Sequence, residues 1–119
     1  MIAKINMLYG LSGVAHDTFY YLGTIVSGRG IDDETRFIVN INADFYRTAA
    51  DTINVSAATV RRAIKELINR GLLIKEEKGV AKSNYLFNFM AMYKGTDEDY
   101  IKDCDKYNIK IRYEMAINH

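Results

Sequence analysis

Proline and tryptophan are absent from this 119-residue chain, and cysteine occurs once. The lone Cys104 excludes an internal disulfide framework and suits a reducing compartment, so a cytoplasmic location is expected, with the thiol packed on the core side of a helix. No apolar run approaches the roughly 18–20 residues needed to span a bilayer, which predicts a soluble protein with no membrane partner. Residues 1–15 carry one Lys ahead of a mildly apolar stretch, but Asn6, Tyr9 and Ser12 interrupt it, so no signal peptide is expected. There is no internal repeat, low-complexity tract or proline-rich linker to divide the chain. A single domain over 1–119 is the expectation, and a hydrophobic content of 49% suffices for one core.

Material for catalysis is equally scarce. The chain has no Gly-rich phosphate loop, no paired His or Cys cluster and no nucleophile beside a base in a recognisable motif, so no catalytic residue, metal or cofactor is expected. His16 stands without a Cys, His or carboxylate at ligand spacing and reads as an ordinary surface residue. The acidic runs Asp32–Asp33–Glu34 and Asp97–Glu98–Asp99 read as loop and helix-start charges.

What is present is concentrated between residues 42 and 73. Ser56 precedes a helical pattern in which Val60, Ile64, Leu67 and Ile68 recur on one apolar stripe, and Gly71 after Arg70 is placed to stop the helix. The opposite face carries the small residues Ala57 and Ala58, then Arg61, Arg62 and Lys65. Small residues permit close approach at the helix tip, and cations one turn later suit the major groove and its phosphates. Upstream, Asn42 can cap a helix whose Phe45, Ala49, Ala50 and Ile53 share a face, with alanines where two helices would cross closely. Asn54 falls at the sharp turn between them, where a residue tolerant of positive φ is needed. Residues 42–70 therefore predict a helix-turn-helix.

Hairpin signals follow. Leu72 to Lys75 and Tyr85 to Phe89 alternate about a polar run, predicting a wing over 72–89 with Lys78 and Lys82 near its tip, able to touch phosphate or the minor groove. Phe37, Val39 and Ile41 predict a strand over 36–41, and Ser12 to Val26 an initial helix over 12–27. At the other end Thr96 caps an acidic first turn, and Tyr100, Cys104, Tyr107, Ile111 and Met115 predict one amphipathic helix over 96–117. Such a helix packs on a partner subunit or on its own domain; a dimer would set two recognition helices about one duplex turn apart. The fold class expected is α+β, a winged helix-turn-helix with an N-terminal helix and a C-terminal amphipathic helix.

Charge is distributed to match. The net charge is +1, but residues 36–94 hold ten Lys and Arg against five Asp and Glu, while 1–35 and 95–119 are each net −2. The order RFIVNI, helix, turn, SAATVRRAIKELINRG, LLIKEEKG, NYLFNF and MYKGT resembles the winged-helix replication proteins of firmicute plasmids, the RepL group, over roughly Phe19 to Thr96. The segment SAATVRRAIKEL is equally similar to regulators of the GntR and MarR kinds, and Asn88-Phe89 stands where the plasmid group has Asn-Pro. By position, the resemblance implies Ser56, Ala57, Ala58, Thr59, Arg61 and Arg62 as contacts to double-stranded DNA, in replication, copy control or repression. A centromere-binding adaptor of a partition system, and a winged helix used only to bind proteins, are the alternatives.

Overall fold

The helices start where hydroxyl or amide side chains can replace the missing backbone partners of a first turn. In a computed structural model, which describes residues 2–3, 5–76 and 82–118, the side chains of Ser12, Asn42, Ser56 and Thr96 each accept from the N–H three residues on. They open α2 (Gly13–Ser27), α3 (Ala43–Ile53), α4 (Ala57–Asn69) and α5 (Asp97–Tyr107). Two short elements, β1 (Ile2–Ala3) and α1 (Ile5–Leu8), precede them. Asn54, at φ 65° and ψ 50°, takes the left-handed conformation that ends α3, and α4 starts three residues later.

Strands β2 (Ile38–Asn40), β3 (Leu73–Lys75) and β4 (Asn84–Phe87) form an antiparallel sheet in the order β2-β4-β3, with Leu86 opposite both Ile38 and Ile74. A second pair joins β1 to β5 (Met92–Tyr93), with Ile2 opposite Tyr93; nothing in the local pattern of either segment announced it. The alternation expected over Tyr85–Phe89 gives way to burial of Leu86, Phe87, Asn88 and Phe89 alike. Phe87 lies under α2, its ring stacked on Phe19 at 4.6 Å and 10°. On the other side α6 (Ile109–Ile117) packs against β3. With both faces covered, the period-2 signal of a half-exposed strand is lost.

The single helix expected over 96–117 is corrected to α5 and α6, broken at Asn108 with φ 52° and ψ 41°. A left-handed residue swings the second half out of register with the first. Tyr107 and Ile109 are buried on either side of the break, while Ile111 and Met115, expected on the apolar face, are 54% and 68% exposed. Both helices pack on their own domain: the Arg112 guanidinium reaches the Glu76 carboxylate at 3.2 Å, and the Tyr107 hydroxyl donates to the Glu34 carbonyl at 2.7 Å. Among the described residues no helix is long and apolar enough to cross a membrane.

Candidate nucleic-acid interface

Helix α4 is sorted by face. Val60, Ile64 and Leu67 of the predicted stripe are buried, Ile68 is half-buried at its edge, and Ala63 joins them in the core; α4 packs on α2 and α3, with Ala49 and Ala50 of α3 also buried. One flank is consumed in holding the fold. Glu66 accepts from both the N–H and the hydroxyl of Ser12, at 2.8 and 2.9 Å, tying α4 to the start of α2. One turn on, Arg70 donates to the carbonyls of Met7 and Tyr9 at 3.1 and 2.6 Å. Two of the helix charges are thus structural, and Arg36 further upstream is a third, 7% exposed and ion-paired to Asp103.

The outer face keeps Ala57, Ala58, Arg61, Arg62 and Lys65 exposed, as the sequence predicted. Their cations are not equally free. The Arg61 guanidinium lies 4.9 Å from the centre of the Tyr46 ring, and Arg62 donates to the Thr59 hydroxyl at 3.2 Å. Lys65 makes no ion pair with any described residue. The hydroxyls of Ser56 and Thr59 are 2.8 Å apart and the Ser56 oxygen accepts the Thr59 N–H at 3.1 Å, so both are engaged in the helix cap. Ala57 and Ala58 therefore present the bare tip, with Arg61 and Arg62 already steered behind it.

Three residues extend this surface that the sequence reading did not single out. Tyr46 on α3 is half-buried, and burial followed by the neighbouring Tyr85 phenol pushes its hydroxyl above the usual value, against the opposing pull of Arg61. Tyr85 on β4 is half-buried too, and the Lys75 ammonium sits 5.7 Å from its ring centre while donating to the Lys82 carbonyl at 3.1 Å. Arg61, Tyr46, Tyr85 and Lys75 thereby run from α4 across α3 to the sheet as cation, ring, ring, cation. Each tyrosine stands next to a buried residue in sequence, Tyr46 beside Phe45 and Tyr85 beside Leu86. Only the pairing of two distant segments brings them together, so no local pattern could display the row.

Lys82 is exposed beside β4, whereas Lys78 lies outside the described residues. Arg47 is exposed and paired to Asp44 on the same helix. Among the described residues, no group of three or more His, Cys, Asp or Glu could hold a metal ion. No protein-family model, curated protein or solved structure matches the chain.

Proposed function

We propose that the chain is a winged helix-turn-helix protein that binds double-stranded DNA sequence-specifically, with α4 in the major groove and the β3–β4 hairpin against the backbone. The observation that carries this reading is the division of charge on α4: Glu66 and Arg70 are spent on the fold, while Arg61, Arg62 and Lys65 face outward behind a two-alanine tip. A protein that only needed a helical hairpin has no reason to hold three cations in one outward row, and α4 is slim enough at its tip to approach base edges. In this reading Tyr46, Tyr85 and Lys75 add two hydroxyls and an ammonium as further groups for phosphate contacts beside α4. The resemblance to plasmid replication proteins supports a role in plasmid or phage replication, copy control or repression. Two copies act together in this reading, and the exposed apolar residues Ile111 and Met115 on α6 are the surface through which a second copy would pack.

Footprinting on DNA flanking the gene tests it. A protected site with two-fold symmetry is the expected result; no protection, with binding that ignores salt, would instead make the fold a protein-interaction module. Replacing Arg61 or Arg62 by Ala is expected to weaken cognate binding by about 1–3 kcal/mol, with sequence preference relaxed at one base pair. Wild-type affinity in both variants would mean that α4 does not enter the groove.

Lys75→Ala and Lys82→Ala should behave differently, lowering affinity evenly across sequences. Each is expected to reduce the slope of log K against log salt by about one unit, because one phosphate is no longer neutralised. A shift in sequence preference with an unchanged slope would place these lysines on bases.

A further inference from the structure

Arg61 and Arg62 stand next to one another on the outer face of α4, yet they are held in different ways. Arg62 donates to the Thr59 hydroxyl at 3.2 Å, so part of its donor set is engaged within its own helix. Arg61 makes no ion pair with any described residue, and its guanidinium lies over the Tyr46 ring of α3, 4.9 Å from the ring centre. A ring face attracts the cation without occupying its N–H donors, whereas a carboxylate would take up to two of them and cancel the charge. Arg61 is thus directed and still fully able to donate.

The ring is itself held. Tyr46 stands in the first turns of α3, where the Asn42 side chain caps the helix and the Asn42 carbonyl accepts the Tyr46 N–H at 3.1 Å. Its ring is half-buried against the core and meets Phe45 edge-on at 5.9 Å and 70°, and Phe45 in turn packs 6.0 Å from Tyr21 of α2. The face of Tyr46 turned to α4 is therefore a platform fixed to the core. Long exposed cations lose much rotamer freedom on binding, and a side chain ordered beforehand loses less.

We propose that Tyr46 is a positioning residue for Arg61, presetting the guanidinium for a two-bond contact to one base edge and so making a residue of α3 a determinant of the sequence preference of α4. This rests on the DNA-binding reading above. Two parallel N–H bonds to a single base require the guanidinium plane to be set correctly, while attraction to phosphate requires only the charge. Removing the ring keeps the charge and frees the plane, so discrimination between bases falls and the electrostatic part of binding stays.

The test has a reading without DNA and one with it, both on the full chain. In the free protein the Arg61 Hδ and Hε resonances are expected upfield of their random-coil positions, shielded by the ring face; Tyr46→Phe should keep that displacement and Tyr46→Leu abolish it. On the footprinted site, discrimination is measured at the base pair where Arg61→Ala relaxes preference. Tyr46→Leu should lower it about two- to fivefold, the worth of an exposed cation–ring contact, with the salt slope unchanged. Tyr46→Phe should discriminate as wild type does, and Tyr46→Leu added to Arg61→Ala should change discrimination no further. Random-coil Arg61 resonances in the wild type, full discrimination in Tyr46→Leu, a loss in Tyr46→Phe equal to that in Tyr46→Leu, or an Arg61→Ala variant weakened evenly across sequences would each overturn the positioning role while DNA binding stands. Failure of the wild type to protect any site would overturn the DNA-binding reading and this role with it. The wild-type resonances and the Tyr46→Phe variant, which keeps the ring packed on Phe45, decide the matter even where Tyr46→Leu loses stability.

Discussion

Asp103→Ala is expected to destabilise the protein by about 3–5 kcal/mol, because it strands a buried guanidinium. The Arg36 and Asp103 side chains are 9% and 15% exposed, 2.7 Å apart, and share the Tyr93 hydroxyl, which accepts from Arg36 at 2.8 Å and donates to Asp103 at 2.6 Å. Burial, and next the adjacent Asp103 carboxylate, hold the Tyr93 phenol well above its ordinary range, so it stays a donor at neutral pH. Removing the carboxylate leaves Tyr93 without its acceptor and Arg36 without its counter-charge. Urea unfolding at unchanged m measures the loss. The double variant Arg36→Met, Asp103→Leu should recover more than half of it, since replacing a whole buried pair by apolar groups is far gentler than breaking it. The exposed pair Glu98–Lys102, 3.9 Å apart, provides the contrast: Glu98→Ala should leave the midpoint where it was. An Asp103→Ala midpoint close to wild type would mean that water reaches Arg36.

Gly71→Ala carries the second large effect, about 2–4 kcal/mol, from two separate causes. Gly71 has φ +70°, a conformation that costs an L-residue roughly 1–2 kcal/mol. Its Cβ would also stand 2.7 Å from Tyr113 Cε1 and 2.8 Å from Ile117 Cγ2, so α6 must lift from β3 to admit it. The Gly71 carbonyl meanwhile accepts from the fully buried Asn88 side chain at 2.8 Å, which anchors the backbone and prevents it from turning away. Thermal unfolding of Gly71→Ala, Tyr113→Ala and the double variant separates the causes. Relief of the overlap should make the double variant lose less than the two single losses added together, leaving the backbone cost behind. Strict additivity would show that Tyr113 does not press on this glycine.

Both predictions concern contacts between segments far apart in the chain, and this is where sequence reading reached its limit. Gly71 was legible as a helix stop because that role needs only the residues on either side. Its second role, as the seat for α6, was not, because the seat belongs to Tyr113 and Ile117, about forty positions later and more. The capping residues Ser12, Asn42, Ser56 and Thr96 and the left-handed Asn54 were legible for the same local reason. Asn108 passed unnoticed as a left-handed break since the apolar spacing from Tyr100 to Met115 runs straight through it. Periodicity counts positions, and one backbone residue of opposite hand makes that count continue around the wrong axis.

The candidate site divides along the same line. Ala57, Ala58, Arg61, Arg62 and Lys65 follow from helical spacing alone, since a face opposite an apolar stripe must point away from the core. Tertiary structure decided which charges remain available: Glu66 and Arg70 look as free as their neighbours in the sequence and are bound to the amino-terminal segment. It also decided the row from Arg61 through Tyr46 and Tyr85 to Lys75. Short-range backbone geometry is encoded within a turn or two of chain, whereas burial and proximity are set by how the elements stack; the helices and their outward residues were therefore readable in advance, and their partners were not.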